Sequence, residues 1–150
     1  MGMNRIVDTT EYLDMVVSLL REGTRDVPVP VKGVSMRPFL RDQDMAYVIP
    51  PEDSVNPGDI LLFQRPDGRY ILHRVHKRLP CGEYLMLGDS QQGTERIGTS
   101  QIRGKVSFVK IQSKVIAPGD LRWLFFAYPW RWLAPARGII GQIHNKLHRN

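Results

Sequence analysis

The sequence predicts a mainly β fold. It reads as a compact antiparallel domain, preceded by an amphipathic helix and followed by an aromatic, basic tail. Three observations predict this. Helical periodicity is confined to residues 8–22. From Val27 to Gln112 short apolar segments alternate with turn dipeptides. After Gly119 the composition shifts to aromatic and basic residues. The division that results is 1–26, 27–119 and 120–150.

In the first segment, Leu13, Val16, Val17 and Leu20 fall at i, i+3, i+4 and i+7 and make one apolar stripe. Asp8 and Glu11 have the spacing with which a side-chain oxygen and an acid satisfy free amides at a helix start. Gly23 is a suitable stop. The predicted strands are Val27–Lys32, Met45–Ile49, Ile60–Gln64, Tyr70–Lys77, Tyr84–Leu87 and Lys105–Gln112. Turn chemistry separates them at Pro50-Pro51, Asn56-Pro57-Gly58-Asp59, Asp67-Gly68, Pro80-Cys81-Gly82 and Gly88-Asp89. In the tail, Pro129 interrupts the aromatic run Leu121–Leu133, and Ile139–Leu147 reads as a weak last helix.

Charge is placed unevenly. The 150 residues carry a formal net charge of +6. Residues 121–150 hold Arg122, Arg131, Arg137, Lys146 and Arg149, no acid, and all three tryptophans. The β region is thus nearly neutral, which makes nucleic acid an unlikely partner despite the basic total. Interfacial docking of the tail on an inner-leaflet membrane surface through Trp123, Phe126 and Trp130 is one expectation, since Trp and Tyr prefer the interface and basic groups favour anionic lipid. The alternative is that these aromatics cover the open side of the β domain or a second copy. The single cysteine, Cys81, excludes an intramolecular disulfide framework. No apolar run approaches the roughly 20 residues of a membrane span, and no signal-peptide core starts the chain. A cytoplasmic location is therefore expected, with the tail giving a means of sitting at the membrane's inner face. No cofactor is expected. His144 and His148 are one helical turn apart, but without a nearby acid or Cys they do not make a metal site.

Three features carry possible chemistry. Ser35 lies between Gly33 and Pro38, in a segment that must bend out of the β framework. His73 shares a strand face with Ile71 and Val75, which suits either a hydrogen-bonded core histidine or a general base. Asp89 follows a strand in a Gly-Asp turn, and Glu95 comes six residues later; either carboxylate could orient an imidazole, or serve only as a turn residue and a solvated acid.

The boxes Gly33-x-Ser35-Met36-x-Pro38-x-Leu40, Pro57-Gly58-Asp59-Ile60-x-x-Phe63, His73-Arg74-Val75 and Gly88-Asp89 come in the order and approximate spacing of type I signal peptidases, which this chain resembles over residues 30–110. The Ser-Met-x-Pro box also resembles that of LexA-type self-cleaving repressors. The resemblance implies Ser35 as nucleophile and His73 as base, in the Ser-His subtype found in endoplasmic-reticulum and sporulation-type members. It implies Asp89 or Glu95 as the orienting acid, with Glu95 the closer positional match. Here Gly-Asp continues as Ser90-Gln91-Gln92, and the Gly-Asp expected after the serine box is replaced by Asp42-Gln43-Asp44. Lys77 is about 13 Å along the strand from His73 and Lys32 is the less favoured base. An extended substrate is expected beside Val27–Lys32, contacting Val31, Gly33, Met36 and Pro38, with small side chains before the cut.

The function expected is therefore a serine endopeptidase that acts on a peptide or precursor protein. The rival is a non-catalytic relative that binds a peptide or membrane. A self-cleaving regulator is a third reading, weakened because residues 1–26 offer only one helix.

Overall fold

The computed structural model describes residues 9–52 and 54–133. Helix α1 spans Thr9–Arg21. It ends where Gly23 takes φ 92°. There the Gly23 and Thr24 amides donate to Leu20 O and Leu19 O at 3.0 Å each, which satisfies carbonyls the helix leaves unpaired. Asp8, the expected cap, lies outside the described residues, as do Ile139–Leu147, His144 and His148.

The strands are β1 (Val27–Pro30), β2 (Met45–Ile49), β3 (Ile60–Gln64), β4 (Tyr70–Leu79), β5 (Glu83–Leu87), β6 (Glu95–Gly98), β7 (Ile102–Ile111) and β8 (Lys114–Ile116). They form one curled, antiparallel half-barrel in the order β1-β2-β7-β3-β4-β5-β6, with β8 added to β7. The mainly β expectation holds. β6 and β8 were not legible: each is short, and each buries a single apolar side chain, Ile97 and Ile116. A period-2 pattern needs more than one buried position to be seen.

Strand β3 shows why the sheet has two covered faces. Its Ile60-Leu61-Leu62-Phe63 run does not alternate, and all four residues are buried. Ile60 and Leu62 point to a large core with Val16 and Leu20 of α1, β1, β2, Met36, Phe39 and Leu40. Leu61 and Phe63 point to a smaller core with Val75, Met86, Ile97 and Ile102. The register continues this division into β4, where Leu61 faces His73 and Leu62 faces Leu72. His73 and Arg74, neighbours in the chain, therefore serve opposite faces.

The tail joins the same large core. Helix α2 (Leu121–Phe125) runs into a π-type turn (Phe126–Trp130) that accommodates Pro129. Trp123 and Phe126 pack on Phe39, with ring centroids at 5.4 and 5.2 Å. This corrects the expectation that they meet a membrane: they are 2% and 8% exposed, because their area is used to close the sheet's open side. Trp130 is half-buried and its indole N–H donates to Asp89 O at 2.7 Å. The exposed apolar residues of the tail are instead Leu121, Leu124, Phe125, Tyr128, Trp132 and Leu133. Among the described residues no helix is long and apolar enough to cross a membrane.

Candidate active site

Ser35 lies in the turn that links β1 to β2. Gly33 enters it with φ 81°, and the Gly33 amide donates to Asp42 Oδ1 at 3.0 Å. Asp42 of the altered Asp42-Gln43-Asp44 segment thus ties down the loop before the serine. Met36, Phe39 and Leu40 anchor the other side by burial in the large core. A second loop clamps Ser35 from outside. The Ser90 amide donates to Ser35 O at 2.9 Å, and Ser90 Oγ donates to Val34 O at 2.8 Å. A β-carbon on Gly88 would stand 2.6 Å from Ser35 O, so this approach requires glycine.

His73 is 3% exposed and packs edge-on against Phe63, with centroids 6.1 Å apart. Its Nδ1 is buried and has no hydrogen-bond partner among the described residues. Burial disfavours the imidazolium and pushes the pKa down to about 4; the nearby Glu95 charge opposes this and Arg65 adds to it. At neutral pH the ring is therefore uncharged and able to accept a proton.

Ser35 and His73 line the same cavity, of about 320 Å³. It lies between the outer edge of β1 and the first residues of β4, Tyr70–His73, which pair with β3 while β5 joins β4 only from Arg74 onward. Of the four residues expected to contact substrate, Val31 and Met36 line it, whereas Gly33 and Pro38 are exposed in the serine turn. Lys32 also reaches its wall. Lys77 is exposed and stacks on Trp132 instead, its Nζ 6.0 Å from the ring centre.

The two candidate acids are held by arginines. Asp89 is 1% exposed and accepts from Arg74 Nε and Nη2 at 2.9 Å each. Glu95 accepts from Arg65 Nε and Nη2 at 2.8 and 2.7 Å, and this pairing holds its carboxyl below the usual range. Glu95 is the acid whose charge reaches His73; Asp89 supports the turn beside Ser35. Sequence reasoning missed both arginines. Arg74 was visible as the residue after His73, and its third bond explains the Pro57-Gly58-Asp59 box: Nη1 donates to Gly58 O at 2.8 Å.

A family model described as Peptidase S24-like matches residues 2–116. The chain belongs to the Peptidase S24-like family. No curated protein and no solved structure matches it. Membership in the Peptidase S24-like family accounts for the curled antiparallel sheet and makes the chain a serine-peptidase-type or LexA-like protein. The matched span contains the serine turn, His73 and both arginine-held acids.

Proposed function

We propose that this protein is a serine endopeptidase that cuts a peptide bond through an acyl-enzyme on Ser35, with His73 as general base, in the manner of a Ser-His signal-peptidase-like enzyme. One observation carries the reading: Ser35 and the neutral, buried His73 line one cavity bordered by two strand edges.

The chemistry follows from the groups present. His73 takes the Ser35 Oγ proton as Oγ bonds to the substrate carbonyl carbon. The imidazolium gives that proton to the leaving amine as the C–N bond breaks. Water, deprotonated by the same ring, then releases the acid and restores Ser35. Nδ1 is buried without a partner among the described residues, so this reading assigns both transfers to Nε2. The backbone amide of Ser35 is the natural donor to the oxyanion, an interaction worth about 3–4 kcal/mol in the transition state.

The test is cleavage of a peptide library by the native protein, Ser35→Ala and His73→Ala, with mass spectrometry to detect acylated Ser35. Cutting by the native protein alone supports the reading. Equal silence from all three, with no adduct, refutes it.

A further inference from the structure

The cavity has a wall that the serine-peptidase reading does not need. Helix α1 contributes Tyr12 and Leu13 to it. Two hydrogen bonds fix the helix there. Tyr12 Oη donates to Pro28 O of β1 at 2.7 Å. The Tyr70 hydroxyl of β4 donates to Asp14 Oδ1. Burial, and after it the bond to Asp14, push the Tyr70 pKa up to about 12. Val16 and Leu20, on the same helix, are buried in the large core. Thus α1 bridges the two strands whose edges border the groove and supplies part of its wall.

The chemistry of the wall is one-sided. Apart from Lys32, Ser35 and His73, it is built from aliphatic, proline, methionine and tyrosine side chains. The hydroxyls of Tyr12 and Tyr70 are each engaged by the bonds just described, so the rings present their apolar bodies. The outer edge of β1 is also poor in donors here, since Pro28 and Pro30 have no N–H and the Pro28 carbonyl is taken. At about 320 Å³ the cavity holds far more than a methyl group, as a water molecule takes only about 30 Å³ of liquid. A small side chain would leave the wall made by Tyr12 and Leu13 uncovered.

We propose that α1 sets the specificity of this site: Tyr12 and Leu13 complete an apolar pocket beside Ser35, and the preferred substrate is a peptide that places a bulky aliphatic or aromatic side chain there. The proposal rests on the peptidase reading for the position of the cut bond. It departs from the expectation of small side chains at that place. Tyr12 and Leu13 act on which side chain is accepted, not on proton transfer.

The experiment uses two readouts on the full chain. Binding of fluorescent peptides that differ only at one position (Ala, Val, Leu or Phe) is measured on Ser35→Ala, and cleavage of the same peptides is measured on the protein with Ser35 intact. Each is repeated with Leu13→Ala and Leu13→Phe. Leu and Phe peptides should bind at least tenfold tighter than the Ala peptide, a ratio typical of apolar pockets. Leu13→Phe, which fills the pocket, should shift the preference toward smaller side chains. Leu13→Ala should shift it toward larger ones. Opposite shifts from filling and emptying cannot arise from unfolding. Preference for Ala, or a preference that ignores Leu13, overturns the proposal even if the peptide is cut. Selective binding without cleavage preserves the pocket and removes the peptidase reading. Failure of every peptide to bind overturns the proposal as well.

Discussion

Arg74 and Asp89 form a doubly hydrogen-bonded ion pair at 1% exposure each, with Nε and Nη2 both 2.9 Å from the carboxylate oxygens. The guanidinium also lies over Phe39, 5.0 Å from its centroid, and over Trp123 at 5.8 Å. One arginine therefore joins β4, the turn behind Ser35 and the aromatic tail. Removing the acid alone would strand a buried cation, which costs about 3–5 kcal/mol. Asp89→Ala is expected to lower unfolding stability by that amount in urea titration. The double replacement Arg74→Met, Asp89→Leu should recover part of the loss, because no charge is left unpaired. A stability unchanged in Asp89→Ala would show that the pair does not hold the turn.

His73 makes stability depend on pH. Burial lowers its folded-state pKa to about 4, below the ordinary histidine value of 6.5. Above pH 6.5 the ring is neutral folded and unfolded, and no dependence arises from it. Between 6.5 and 4 the unfolded chain binds a proton that the folded chain refuses, so stability falls as the pH falls. A shift of this size corresponds to roughly 3 kcal/mol across the window. His73→Leu should flatten that part of the stability curve measured by urea unfolding. Parallel curves for the two proteins would contradict the burial of the ring.

The same shift sets the acid limb of the activity. If His73 is the base, kcat/KM for peptide cleavage should stay level from pH 7 down to about 5 and drop with an apparent pKa near 4. A limb at the ordinary histidine value near 6.5 would mean that a solvated group does the work. Initial rates across pH 3–8 on one peptide decide this.

Glu95 and Arg65 test whether the site is a dyad or a triad. The bidentate Arg65 pairing occupies Glu95, while His73 Nδ1 has no partner among the described residues. Glu95 then acts on His73 through space. Glu95→Gln is expected to reduce kcat by less than about tenfold, against the roughly 10⁴-fold that loss of a hydrogen-bonded triad acid can produce. Arg65→Gln removes the cation that lowers the His73 pKa, so the acid limb should move upward. A collapse of kcat in Glu95→Gln with normal substrate binding would instead establish a triad.

The helix α1 and six of the eight strands could be read from the sequence for definite reasons. The Leu13-Val16-Val17-Leu20 stripe carries helical period, and the Ile60-Leu61-Leu62-Phe63 run announces a strand buried on both faces. What was not legible depends on partners distant in the chain. Nothing local to Asp89 reveals that Arg74 will meet it across the β4–β5 ladder, where Arg74 pairs with Leu87. Nothing local to Trp123 shows that Phe39, over eighty residues earlier, will cover it. An aromatic, basic segment looks the same whether its rings face lipid or close a sheet, and only the packing distinguishes the two. Tyr12 likewise gave no sign of its role, since the bond to Pro28 O exists only once α1 crosses the end of β1.

Gly88 supplies a last prediction, because it connects packing to chemistry. A β-carbon there would approach Ser35 O to 2.6 Å and the Gln91 side chain to 2.9 Å. The glutamine can move, but the Ser35 carbonyl is backbone and is already tied to the Ser90 amide at 2.9 Å. Gly88→Ala must therefore push the serine turn away from the 88–90 loop. A displacement of about 1 Å at a reacting group costs about 100-fold in rate. The expected outcome is a folded protein, judged by an unchanged far-UV spectrum, whose kcat for peptide cleavage falls by about that factor. A control at Gly93, where a β-carbon meets nothing within 4 Å, should leave kcat unaltered in Gly93→Ala. Equal activity in both variants would show that the Gly88–Ser35 contact does not position the nucleophile.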